Sequence, residues 1–284
     1  MNKTSKTNRR IMAILLVAAG LFMIAVAPFL VQSTLDPMLE GLMKRAAEDP
    51  RFASGPTLMA IFYPLWRALI MVAGVACLVL ALPTLKGEQW TWPASLALLA
   101  VPAIGGMYMM LPFVSFVKDA MPPSIVITLV GLAGYWGVLL LKRSTRTQKA
   151  VNWLVFTLLG VITTESFVLG FGAMRQLMAR PNSPLFVDAK IAILTIGGPV
   201  NWIGAALVFA AIPLLAARKP LGWWFGLIAG LSIAIAGVPT HFVRQATADY
   251  LIGAVLGVVL VVVLLVPAVK QQLIGPPEPK AAGV

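Results

Sequence analysis

Glu165 is the residue whose type and setting point most directly to chemistry. It stands in Thr163-Thr164-Glu165-Ser166, inside an apolar run from about Val151 to Gly172. A carboxylate surrounded by hydrocarbon is costly, so it must face protein and either pair or hold a proton. Arg67, in the second apolar run, is the natural partner. At about 1.5 Å per residue both groups would lie roughly 10–15 Å below the same surface. Three chemistries fit such a pair: an ion pair that locks two halves together, a relay for a proton or ion, or the polar wall of a wet cavity.

Other polar side chains fall in the same half of the apolar runs. They are Tyr63, Tyr108, Thr164, Thr195, Asn201 and His241, the chain's one histidine. With Glu165 and Arg67 they form an outer polar cluster, the best candidate site. One histidine cannot supply bis-histidine haem ligation, and no Cys or His neighbour completes a zinc set. There is no nucleotide loop and no nucleophile–base pair. The expectation is a chain without evident catalytic chemistry, metal or cofactor.

The elements that must position these groups are eight long apolar segments. They run from about Ile11 to Val31, Leu58 to Leu85, Ala94 to Val117, Ser124 to Leu141, Val151 to Gly172, Ala189 to Ala216, Gly222 to Val243 and Tyr250 to Val269. Each matches the roughly 20 residues a helix needs to cross hydrocarbon, and barrel-type alternation is absent. With 60% hydrophobic and 11% charged residues, a water-soluble fold would need an implausibly large core. The fold class expected is therefore all-α: a polytopic membrane protein of eight transmembrane helices. Its solvent partner is the lipid bilayer.

Basic residues set the expected orientation. With both termini inside, thirteen lie on the inner side (Lys3, Lys6, Arg9, Arg10, Lys86, Lys142, Arg143, Arg146, Lys149, Arg218, Lys219, Lys270, Lys280) and eight outside. This predicts a multi-pass protein of the cell membrane with cytoplasmic N- and C-termini. The net charge of +12 then reflects helix anchors beside anionic headgroups, with no nucleic-acid partner implied. Lys3–Arg10 before an apolar run resembles a secretory leader, but Pro28 after Ala27 argues for a retained anchor. The single Cys77 excludes an internal disulfide.

The chain also reads as a tandem repeat. Gly41, Met43, Lys44 and Pro50 recur at the same spacing as Gly172, Met174, Arg175 and Pro181. Phe116-Val117-Lys118-Asp119-Ala120 aligns with Phe242-Val243-Arg244-Gln245-Ala246, and the match continues to Gly131 opposite Gly257. Pro64 and Trp66 find echoes in Pro199 and Trp202, as do Trp90 and Trp92 in Trp223 and Trp224. The spacing predicts two parallel four-helix repeats, residues 1–145 and 146–270, then a disordered cytoplasmic tail, 271–284. Asp36–Asp49 reads as an amphipathic helix lying along the outer interface, with Asp36 as N-cap and Pro37 first. Gly226-x-x-x-Gly230 and Gly253-x-x-x-Gly257 predict close contact of the seventh and eighth helices.

Eight helices in two like-facing groups of four, with larger outer loops after the first and fifth, resemble the layout of haem A synthases. That family holds haem with histidines on even-numbered helices. Here Trp66, Ser124, Trp202 and Tyr250 stand near those positions, and none is histidine. The resemblance therefore implies architecture without haem A synthesis.

Three functions follow as expectations. The first is a structural subunit or scaffold of a membrane assembly, with membrane-protein partners or a homodimer. The second is a transporter or channel for a small solute or proton, entered through the outer cluster. The third is a binder of, or enzyme on, a lipophilic molecule such as a quinone, lipid or haem-like group.

Overall fold

In the computed structural model, residues 5–142, 144–178, 189–244 and 248–275 are described, Arg51 by its backbone alone. They form ten helices and, among the described residues, no strand: α1 Lys6–Ala25, α2 Ala27–Glu48, α3 Gly55–Lys86, α4 Thr91–Phe116, α5 Ser124–Leu141, α6 Arg146–Met178, α7 Ala189–Ala216, α8 Pro220–Arg244, α9 Asp249–Leu265 and α10 Pro267–Ile274. A 3₁₀ turn, Pro50–Phe52, joins α2 to α3. Seven helices are long and apolar enough to cross a membrane, and an eighth if α9 and α10 count as one bent span. Large apolar side chains such as Ile14, Val72, Val79, Ile235 and Val262 stand exposed on the outside of the bundle. In water that surface would be prohibitive; against lipid it is the expected one. The chain fits a polytopic membrane protein.

One end of the bundle, here called basal, gathers the start of α1, the ends of α3 and α5, and α10. Asn8 Nδ2 donates to the Leu141 carbonyl at 2.6 Å, Arg9 to Lys86 at 3.2 Å, and Arg218 to Gln272 at 3.1 Å. The distal end gathers the tips of α2, α4, α6 and α8. There Ser54 Oγ donates to the Arg175 carbonyl at 2.8 Å.

Two expected boundaries move. The first span breaks at Val26, ahead of Pro28 in the first turn of α2, where proline's missing N–H breaks no bond. The helix then runs on through Pro37, which sits inside α2 instead of starting a separate helix at Asp36. Half of the apolar stripe of the expected interfacial helix is accordingly buried in protein, while Met43 stays exposed. Leu35, Met38 and Leu42 pack inward, and Gly41 lies so close to the Phe116 carbonyl that a Cβ there would be 2.6 Å away. At the other terminus, Val266 is extended before Pro267, and the chain turns by 76° into α10. Residues 271–274, expected in a disordered tail, complete that helix; 276–284 lie outside the described residues.

The predicted α8–α9 contact is present at Gly226, Gly230 and Gly257, whereas Gly253, expected in the same contact, faces Leu169 of α6. A Cβ at Gly230 would meet the Gly257 carbonyl at 2.8 Å, and one at Gly257 the Gly230 carbonyl at 2.6 Å, so the backbones touch. Gly20 and Gly74 bring α1 against α3 in the same way, at 2.8 and 3.0 Å. Between α3, α4, α6 and α7 the core is aromatic. Phe62, Tyr63, Trp66, Tyr108, Phe167, Phe171 and Trp202 pack with centroids 4.9–6.3 Å apart, mostly edge to face or tilted.

Candidate functional site

The helix α6 has two flanks with opposite character. Toward α9 it is sealed. Tyr250 Oη donates to the Leu169 carbonyl at 2.7 Å, and Gly253 leaves room for the Leu169 side chain, with the Glu165 Cγ 3.8 Å from where its Cβ would be. Toward α5 the flank is closed only in its basal part. Tyr135 Oη donates to the Phe156 carbonyl and Trp136 Nε1 to Thr157 Oγ1, each at 3.1 Å.

Beyond those bonds the helices part, and a groove of about 220 Å³ opens between α4, α5 and α6. Ala103, Ile104, Met107 and Leu111 form one wall, Thr128, Leu132 and Tyr135 another, and Gly160, Thr164 and Glu165 the third. A Cβ added at Gly160 would meet nothing within 4 Å. Thr164 turns its hydroxyl back to the Gly160 carbonyl at 3.1 Å, which satisfies the donor within its own helix. The walls are thus apolar, with Glu165 as the charged group at the distal limit.

Leu111 and Glu165 also line a second, distal pocket of about 540 Å³, so the two spaces adjoin through these residues. Arg45, Arg175, Arg244 and Asp249 contribute its charges beside Glu165, with Phe52, Phe116 and Phe171 among its apolar surfaces. The Phe52 ring lies between two guanidiniums, 5.6 Å from Arg45 and 4.4 Å from Arg175. Arg244 stacks 5.1 Å from the Tyr250 ring centre.

The sequence-derived candidates separate in space. Arg67 does not pair with Glu165. Its Nη1 donates to Gln32 Oε1 at 3.3 Å, far from any bond to Glu165. The reason is lateral: Arg67 points along α3 to α2, whereas Glu165 faces α4, α5 and α9. Thr164 lines the groove with Glu165, but Tyr63, Thr195, Asn201 and His241 line neither the groove nor the distal pocket. Tyr63 donates to the Met109 carbonyl at 2.7 Å inside the aromatic core. Thr195 and Asn201 bond back to carbonyls of α7, and His241 packs on Phe242.

Sequence reasoning passed over Arg45, Arg175, Arg244 and Asp249 as a group, and over Gly160. The usable signal was the recurring Gly-x-Met-base motif, because Gly172 and Arg175 both line the distal pocket.

The positions compared with haem A synthases do not fit a bis-histidine haem. Trp202 Nε1 donates to the Phe167 carbonyl at 3.1 Å, Tyr250 is committed to Leu169, and Ser124 N–H donates to Thr34 Oγ1 at 3.0 Å. Trp66 is packed in the aromatic core. Compared with known protein families, curated proteins and solved structures, the chain finds no match in any of the three.

Proposed function

We propose that this is an eight-crossing protein of the cell membrane that binds a membrane amphiphile in the groove between α5 and α6. The observation that carries the reading is the junction at Leu111 and Glu165, where an apolar slot meets a polar, arginine-bearing pocket. An amphiphile has the same division, a hydrocarbon tail and a hydrated head. Water alone would gain little from the apolar walls, and a fully apolar ligand would leave the distal charges unused.

The finer architecture belongs to the same proposal: two tandem repeats, residues 1–145 and 146–270, with both termini cytoplasmic. Paired contacts support the repeat. Trp92 Nε1 donates to the Val138 carbonyl and Trp223 Nε1 to the Leu264 carbonyl, at 3.1 and 3.0 Å. Lys142 caps the Trp92 ring and Lys270 the Trp223 ring, at 3.4 and 4.1 Å. Gly106 faces the Ser124 carbonyl as Gly237 faces that of Tyr250. Basic residues clustered at the basal end, Lys86, Lys142 and Arg218 among them, support cytoplasmic termini.

The amphiphile reading is tested by purification in a mild neutral detergent, followed by organic extraction and mass spectrometry. Wild type retains about one amphiphile per chain, and Gly160→Phe, whose Cβ would meet nothing within 4 Å and whose ring would occupy the slot, loses it. Equal retention by the two proteins overturns the reading. A second reading, transfer of a proton or small solute, draws on Glu165 lining both spaces. It requires flux in proteoliposomes that falls in Glu165→Gln; unchanged flux removes it. The scaffold reading draws on helix packing alone.

A further inference from the structure

The distal pocket carries information about the head of the amphiphile, and the inference rests on the groove reading above. Three guanidiniums border the pocket from three separate elements: Arg45 at the end of α2, Arg175 near the end of α6 and Arg244 at the end of α8. Two carboxylates, Glu165 and Asp249, share it, and Arg45 pairs with Glu48 at 3.1 Å, so an anion preference turns on Arg244 and not on a surplus of charge. Arg244 Nε is buried and has no hydrogen-bond partner among the described residues. A donor left in that state is costly unless a ligand or water takes it up.

The local chain makes room around that arginine. A Cβ at Gly172 would lie 3.1 Å from Arg244 Nη1 and 3.2 Å from Tyr250 Oη, so a side chain there would press on both. Phe52, between Arg45 and Arg175, holds those two planar cations against the same ring. Planar guanidiniums suit phosphate oxygens, which accept paired N–H donors, better than they suit a neutral head.

We propose that the distal pocket binds the phosphate of an anionic membrane lipid whose tail occupies the α5–α6 groove, with Arg244 as the selecting residue. The tail supplies affinity through the apolar slot, and the arginines discriminate between heads. Glu165, at the junction, faces the glycerol-like region between head and tail, where a phosphate oxygen would be repelled.

The test uses the full chain in neutral detergent, titrated by native mass spectrometry with dioleoyl phosphatidylglycerol, dioleoyl phosphatidylcholine and inorganic phosphate. Wild type binds phosphatidylglycerol at least tenfold more tightly than phosphatidylcholine, and millimolar inorganic phosphate does not displace it. Phosphatidylcholine carries the same phosphate, but its quaternary ammonium beside the guanidiniums weakens that contact, so Arg244→Gln and Gly172→Leu each cut the preference to threefold or less, chiefly by weakening phosphatidylglycerol. Gly160→Phe loses both lipids. Equal binding of the two lipids by wild type, or a preference that survives in Arg244→Gln, overturns the head assignment and leaves the groove intact. Displacement by inorganic phosphate reassigns the pocket to a free anion and overturns the lipid source. Failure of wild type to bind either lipid removes the groove reading itself.

Discussion

The two flanks of α6 use the same kinds of residue to opposite ends. Against α9, a glycine lets a large neighbour in: Gly253 receives Leu169, and Tyr250 fastens the contact to a backbone carbonyl. Against α5, a glycine lets the neighbour stay away, because Gly160 faces open space and the Tyr135 and Trp136 bonds hold only the basal part. Small residues in a membrane bundle thus have no fixed meaning. Helix association there depends on packing and on polar contacts, since lipid tails are as apolar as leucine. Whether a glycine marks an interface or a vacancy is decided by what the next helix presents to it.

The sealed flank gives the largest expected effect. Gly253→Leu forces a side chain into the volume of Leu169 and destabilises the protein by about 1–3 kcal/mol, the usual cost of overpacking. It is read as a lowered melting temperature in detergent, and an unchanged value would mean that the α6–α9 contact is not tight. On the open flank, Gly160→Phe leaves the melting temperature of the ligand-stripped protein where it was. It weakens amphiphile binding at least tenfold, about 1.4 kcal/mol. A substitution that destabilised the stripped protein as much as Gly253→Leu does would erase the distinction between flanks.

Smaller effects sharpen the comparison. Tyr250→Phe removes one hydrogen bond from the sealed flank and costs about 0.5–1.5 kcal/mol. Its melting temperature should fall less than that of Gly253→Leu and with no change in lipid binding. The smallest effect is at the basal end. Lys142, beside the Trp92 ring and outside the helical span, is brought down to about 8 by burial and by the nearby Arg218 charge. Its charged form is therefore disfavoured in the folded state relative to the unfolded one. Stability from this group rises as pH increases from about 8 toward the ordinary lysine value of 10.5, because the unfolded chain still binds the proton. Comparing wild type with Lys142→Met across that window checks it: the difference between their melting temperatures shifts in favour of wild type, and a flat difference contradicts the assignment.

Much of the architecture was legible because hydrocarbon imposes length and composition on each crossing. The runs of α3 to α8 appear in the sequence near their observed ends, and Gly230 and Gly257 declared a contact that exists. The join of α1 to α2 misled, since Asp36-Pro37 has the chemistry of a helix start while lying inside a helix. The Arg67–Glu165 pairing failed for a different reason. Depth along a helix can be counted from sequence, but the direction in which a side chain leaves the helix depends on neighbours that hydropathy does not order. The groove was invisible for the same cause, because it is a gap that opens between α5 and α6 past the Tyr135 and Trp136 bonds. The arginines of the distal pocket were visible one by one as anchors at helix ends. Their convergence came only with the packing of α2, α6 and α8.

The most direct measurement places a photo-crosslinking residue at Gly160 in the groove and, separately, at Val262 on the exposed face of α9. Both proteins are washed with neutral detergent before irradiation. A covalent amphiphile adduct of one dominant mass is expected at position 160, surviving the wash, and none at position 262. Equal adducts at both positions, or none at 160, would show that the groove holds nothing that bulk lipid does not.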